Sequence, residues 1–120
     1  MVGESSNPTH VIAELANTHE GDVKRAKEII NRVPDEADAV KVQAFSAEEL
    51  MVPSHPNFES LVRKEFSRSE WIEILDHIAD SGYRTYADVF GAVGLSLMDD
   101  IGVDSFKIHS SDISNQTLLK

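Results

Sequence analysis

Cysteine is absent from the 120-residue chain, which removes disulfide frameworks and thiolate zinc sites from consideration. Proline and glycine are sparse, at 4 and 6 residues, so neither a collagen-like repeat nor a low-complexity linker fits. Basic side chains number 11 against 21 acidic ones, and the resulting charge of -10 leaves no cationic stripe to displace counterions from a nucleic acid. A few lysines focused in a cleft can still hold a small anion against such an exterior. No run approaches the ~18 continuous apolar residues of a membrane span. The opening MVGESSNPTH lacks the basic and apolar segments of a signal peptide. The expected setting is therefore cytoplasmic, with neither nucleic acid nor membrane as partner.

The 41% apolar content supports one core in a chain of this size. A complete (β/α)8 barrel typically needs ~250 residues. The expected organisation is a polar N-terminal segment over 1–9 followed by a single unit over 10–120.

Within that unit, apolar density in HVIAELA predicts a buried strand over 10–16. NTHEGD turns the chain, with Asp22 as a helix cap. Val23, Ala26, Ile30 and Val33 then recur at helical spacing before Pro34. AVKVQAF predicts a second strand over 39–45. Ser46 and Glu49 have the spacing of a capping box for a short helical turn, and the stretch 53–66 is expected to be an irregular surface loop tacked down by Phe58, Leu61 and Val62. Ser67 and Glu70 announce the next helix, whose apolar face is Trp71, Ile74, Leu75, Ile78 and Ala79, with Gly82 as its C-cap. A third strand is expected over 83–90, then a helix bearing Ala92, Leu95, Met98 and Ile101, then a fourth strand in SFKIHS. Four strands joined by helical crossovers call for right-handed parallel pairing.

An open doubly wound sheet presents the same element order, and side-chain parity argues for the barrel. Val11, Ala13 and Leu15 oppose Ile12, Glu14 and Ala16; Val40, Val42 and Ala44 oppose Lys41, Gln43 and Phe45. Ala87 and Val89 oppose Tyr86, Asp88 and Phe90, and Phe106 and Ile108 oppose Lys107 and His109. With the apolar sets against the helices, Glu14, Lys41, Gln43, Asp88, Lys107 and His109 converge on the interior. The fold class is thus α/β, a partial (β/α)8 TIM barrel of about the first four βα units. Such groups must pair with one another or with a ligand. Two lysines beside one cavity point to a phosphate or carboxylate; an internal ion-pair network without catalytic role is the competing explanation.

The histidines share no ligand spacing. His77 is expected to be a solvated helix residue, and a metal held by His19 and His109 needs at least one further donor. The Gly21 turn is no P-loop, and neither a Ser-His-Asp triad nor an HExxH pattern can be assigned.

Four blocks, VIAELANTHEGD, ADAVKVQAFSAEEL, SRSEWIEIL and FKIHSSDISNQTLL, together resemble the N-acetylneuraminate (sialic acid) synthase family, legionaminate and pseudaminate synthases included. The resemblance runs over nearly the whole chain and implies the N-terminal half of a catalytic barrel. It implies condensation of phosphoenolpyruvate with an N-acetylated amino-sugar aldehyde such as N-acetylmannosamine, with release of phosphate. Carried over by position, it places phosphate or carboxylate recognition on Lys41, Gln43, Lys107 and Ser110, with Asp88 and Asn115 also at the substrate. Glu14 and Asp112 fall at catalytic positions.

The resemblance also implies a divalent metal, Mn or Mg, whose histidine ligands lie beyond residue 120, so no metal ligand is assigned within the chain. Two departures stand out: Thr18-His19-Glu20-Gly21 replaces the usual Asn-His-Asn-Gly turn, and Asp88-Val89-Phe90 replaces Thr-Pro-Phe. A carboxylate in place of a hydroxyl repels a phosphate unless a proton, metal or lysine compensates. A half barrel leaves two sheet edges and a charged face open. The expectation is therefore an inactive piece of a metal-dependent synthase, completed by a C-terminal barrel half or a homo-oligomer. The alternatives are a non-catalytic half-barrel binding or assembly module, or a different phosphoenolpyruvate or sugar-phosphate barrel.

Overall fold

Alternation of small or β-branched apolar residues with polar ones resolves into strands, of which β2 and β3 bury one face most fully. The computed structural model describes residues 9–108. Strands β1 (Ile12–Ala16), β2 (Ala39–Phe45), β3 (Arg84–Phe90) and β4 (Ser105–Ile108) form one sheet in the order β1-β2-β3-β4. Every neighbouring pair is parallel. The register places Glu14 beside Lys41, Lys41 beside Tyr86, Gln43 beside Asp88 and Asp88 beside Lys107. The polar residues of successive strands therefore share rows on one face.

The opposite face carries the core. Leu15, Val40, Val42, Ala44, Ala87 and Val89 are buried against Ala26 and Ile30 of α1 (Val23–Asn31). Trp71, Ile74, Leu75 and Ile78 of α4 (Arg68–Asp80) and Met98 of α5 (Gly91–Ile101) complete this layer. The buried core is thus confined to one side of the sheet. That is the arrangement of a barrel wall, whereas a doubly wound sheet is covered on both faces.

Asp22 caps α1, its Oδ1 accepting the Lys24 N–H at 2.9 Å. The Ser67 capping box forms in full: the Ser67 hydroxyl accepts the Glu70 N–H, and the Glu70 carboxylate accepts the Ser67 N–H at 2.8 Å. Gly94 lets α5 lie directly on β2, since a Cβ there would stand 2.6 Å from the Ala44 carbonyl oxygen.

Several local expectations are corrected. Stretch 53–66 is not wholly irregular, because α3 (Phe58–Val62) lies within it and Phe66 is buried against Trp71 with ring centroids 5.0 Å apart. Phe58 and Leu61 are half-buried, but Val62 is exposed, so it does not help to tack the stretch down. Ser46 precedes α2 (Ala47–Leu50) without a side-chain cap. The Glu65 carboxylate instead accepts the Ala47 N–H, and Glu49 turns away to accept the Val93 N–H at 3.2 Å in the first turn of α5. Tertiary partners, one acceptor and one donor, have out-competed the local box. Ala79 is exposed, and the C-cap of α4 is Ser81, with Gly82 following it. His77 is half-buried, its Nε2 standing 2.8 Å from Asn31 Oδ1 on α1.

Candidate active site

Parallel pairing brings the polar rows together at two heights. Nearer the N-terminal ends of the strands, Lys41 Nζ lies 3.2 Å from Glu14 Oε1. One pleat toward the C-terminal ends, Lys107 Nζ lies 3.6 Å from Asp88 Oδ2. Lys41 retains 17% of its side-chain exposure and Asp88 4%, whereas Lys107 is 58% exposed, so the second pair joins a sealed carboxylate to an accessible ammonium. Asp88 Oδ1 is buried with no hydrogen-bond partner among the described residues. Gln43 stands beside Asp88 in the register, half-buried.

Lys41 and Lys107 line a single hollow of about 240 Å³ on this face, with Tyr86 between them and Ile12, Ser105 and Phe106 at its sides. The Tyr86 hydroxyl is 2.8 Å from His10 Nε2, so the ring forms the hollow's wall while its oxygen is held elsewhere. Larger depressions lie among the outer helices, one over α1 lined mainly by charged side chains and one where Ala92, Val93 and Leu97 of α5 meet Arg68 and Asp100. Two ammonium groups converging on one concavity are chemically fitted to an anion.

Of the residues expected from sequence, Glu14, Lys41, Gln43, Asp88 and Lys107 share this face. His109, Ser110, Asp112 and Asn115 lie outside the described residues. Tyr86 was missing from the expected site, although its parity with Asp88 marked it; an aromatic ring simply carries no charge to draw notice.

The turn after β1 is stressed and closed. Ala16, Glu20 and Gly21 take positive φ values of 51°, 57° and 77°, and β1 carries an irregularity between Glu14 and Ala16. His19 is fully buried, its ring 4.4 Å from that of Phe66. Its Nδ1 accepts the Gly21 N–H at 2.9 Å, and its Nε2 is buried with no hydrogen-bond partner among the described residues. With one nitrogen taken and the ring sealed, His19 acts as a spacer of the turn. Among the described residues no group of three or more His, Cys, Asp or Glu could hold a metal ion.

Burial, the largest influence, holds the His19 imidazole below its ordinary 6.5; the Glu20 carboxylate opposes this, Lys64 adds to it, and the nearby Ala16 backbone opposes it. The native ring therefore resists a proton that the unfolded ring accepts. Stability from this group is complete above about pH 6.5 and is lost as pH falls from there through the lower folded value. Denaturant midpoints taken at about pH 7.5 and about pH 5.5 are expected to differ less in His19→Phe than in the native protein. Equal differences in the two proteins would refute this role.

Fold and polar face together define a class: a (β/α) barrel wall that carries its polar rows on the inner, strand-borne surface. The sequence profile of the NeuB family matches residues 29–120, and the chain belongs to that family. It is 29% identical over 132 residues to the N,N'-diacetyllegionaminic acid synthase of Legionella pneumophila, a match covering 97% of this chain and 37% of that protein. The synthase of the same description from Campylobacter jejuni is 29% identical over 127 residues, covering 93% and 38%. The crystal structure of N-acetylneuraminic acid (sialic acid) synthetase from Leptospira borgpetersenii serovar Hardjo-bovis, in complex with citrate, superposes with a TM-score of 0.85 and 32% identity over 94% of this chain and 40% of that one. The chain thus spans well under half the length of these relatives and forms about four units of a (β/α)8 barrel. No helix among the described residues is long and apolar enough to cross a membrane.

Proposed function

We propose that this chain supplies the anion-holding wall of a synthase that condenses phosphoenolpyruvate with an N-acetylated amino-sugar aldehyde, such as N-acetylmannosamine, and releases phosphate. The observation that carries the reading is the convergence of Lys41 and Lys107 on one hollow of the inner face in a NeuB-family chain. The ammonium groups of Lys41 and Lys107 meet the phosphate and carboxylate as point charges, and Gln43 and Ser110 add neutral hydrogen bonds. Asp88 and Asn115 contact substrate as well, Glu14 helps to hold the sugar and the reacting centre, and Asp112 supplies a second acidic group at a catalytic position.

In the reaction, C3 of phosphoenolpyruvate attacks the aldehyde carbon and forms the new C–C bond. Water adds at C2, and the tetrahedral centre then collapses with cleavage of the C2–O bond, the electron pair leaving with phosphate. Lysines fixed on strands stabilise that departing charge without reorganising. A divalent metal, Mn or Mg, belongs to the proposal and would polarise the aldehyde oxygen. The described residues supply no donor set for it, and its ligands are assigned to chain beyond residue 120.

The test is phosphate release from phosphoenolpyruvate by the full-length protein with Mn or Mg, with and without N-acetylmannosamine or a diacetylated amino-sugar aldehyde. Acceptor-dependent release that a chelator abolishes is the expected result. Release that ignores every acceptor points to a different phosphoenolpyruvate barrel, and none at all to a non-catalytic binding module.

A further inference from the structure

Tyr86 stands on β3, yet its hydroxyl lies 2.8 Å from Nε2 of His10, which precedes β1. The sheet order places β2 between those strands, so the phenol ring must cross the inner face of β2 to reach that partner. Tyr86 is the register neighbour of Lys41, whereas Ile12, close after His10, is paired with Ala39. The ring therefore crosses β2 on the N-terminal side of Lys41.

The far end of this crossing is anchored. His10 Nδ1 lies 3.5 Å from Asp38 Oδ2, and the same oxygen accepts the Val11 N–H at 2.7 Å. The Asp38 backbone is tied to both neighbouring strands, its N–H donating to the Val11 carbonyl at 2.7 Å and its carbonyl accepting the Arg84 N–H at 3.1 Å. A carboxylate only accepts, so the imidazole proton sits on Nδ1 and leaves Nε2 to accept the Tyr86 O–H. The His10 and Tyr86 rings also stack, with centroids 5.7 Å apart. Side chains from separate segments thus form a bar beneath Lys41, whose ammonium stands 3.2 Å from Glu14 and shares the hollow with Tyr86.

Taking the hollow as an anion site, on which this step rests, we infer that Tyr86, His10 and Asp38 are positioning residues that hold the Lys41 ammonium in it. A free lysine stem samples many rotamers, and ordering it on binding weakens affinity. The bar blocks relaxation of that stem toward the N-terminal end of the sheet, so the freedom is already lost when the anion arrives. His10 and Asp38 act through Tyr86, and Tyr86 acts through Lys41.

The test is binding of inorganic phosphate to the full-length protein, measured by isothermal titration calorimetry at one fixed pH. Tyr86→Phe keeps the ring and removes only its hydroxyl; it is expected to weaken phosphate at least about threefold, within the range of one lost hydrogen bond. His10→Ala is expected to do the same, whereas His10→Gln, whose amide oxygen can accept the Tyr86 O–H, is expected to restore native affinity. Both His10 variants remove the imidazole, so charge does not explain a difference between them. In a Lys41→Met background Tyr86→Phe is expected to have no further effect, because the group it positions is gone. Circular dichroism and melting check the fold of each variant.

Native affinity in Tyr86→Phe and His10→Ala, with affinity still falling in Lys41→Met, would overturn the bar and leave the anion site standing. Equal losses in His10→Ala and His10→Gln, or a Tyr86→Phe loss that recurs undiminished beside Lys41→Met, would overturn it likewise. No phosphate binding by the native protein, or binding indifferent to Lys41→Met, would remove the anion site itself and the inference with it.

Discussion

Lys41→Met in the full-length protein is expected, on the proposed function, to lower kcat/KM for phosphoenolpyruvate by roughly 10²-fold or more, because it removes a fixed charge from the phosphate or carboxylate of the substrate. The methionine keeps the length and much of the apolar stem of the lysine, so the packing of β2 against Ile12 and Tyr86 is retained. The Lys41 side chain is 17% exposed and stands 3.2 Å from Glu14, so its position is set before any ligand arrives. A fall in kcat as well as in kcat/KM would show that the ammonium acts on charge developing in the transition state, whereas a rise in KM alone would show uniform binding. Lys27→Met is the control: Lys27 pairs with Glu73 on the outer helices, and its replacement is expected to leave turnover unchanged. Native kcat/KM in Lys41→Met would sink the assignment of the hollow to the anionic substrate.

Gly21→Ala is expected to cost about 3 kcal/mol or more of stability, the sum of backbone strain and overpacking. Gly21 sits at φ 77°, and a Cβ placed there would stand 1.8 Å from the Arg63 carbonyl oxygen, a backbone atom that cannot swing aside. Relief requires moving either the turn after β1 or the chain after α3. The first carries His19 and follows β1, whose Glu14 lies two residues before its end, so the inner face would be disturbed along with the fold. Gly82→Ala isolates the conformational part: φ is 94° there but nothing lies within 4 Å of the added carbon, and the expected cost is only about 1–2 kcal/mol. Chemical denaturation of both variants checks the prediction, and equal losses would show that contact with Arg63 is unimportant.

The elements themselves were largely legible. AVKVQAF forms a strand over its full predicted length because Val40, Val42 and Ala44 bury one face while Lys41 and Gln43 decorate the other, a period of two that no helix satisfies. Asp22 and the Ser67–Glu70 pair cap their helices as expected, since capping is settled within a few residues. Ser46 and Glu49 show where local spacing fails. The same pattern was outbid by Glu65 from one side and by the Val93 N–H of α5 from the other. Both competitors are distant in sequence. Helix α3 was missed because its short Phe58–Val62 span gives no full apolar repeat to read.

For the site, parity alone determined that Glu14, Lys41, Gln43, Asp88 and Lys107 share a face, because side chains of parallel strands alternate and the apolar set must meet the helices. Only the tertiary structure decided which of them pair, that Lys41 and Lys107 border the same hollow, and that Asp88 is sealed with one oxygen unsatisfied. The reason is physical: alternation along a strand is a property of one chain segment, whereas register, burial and ion-pair distance depend on how segments far apart in sequence come to lie side by side.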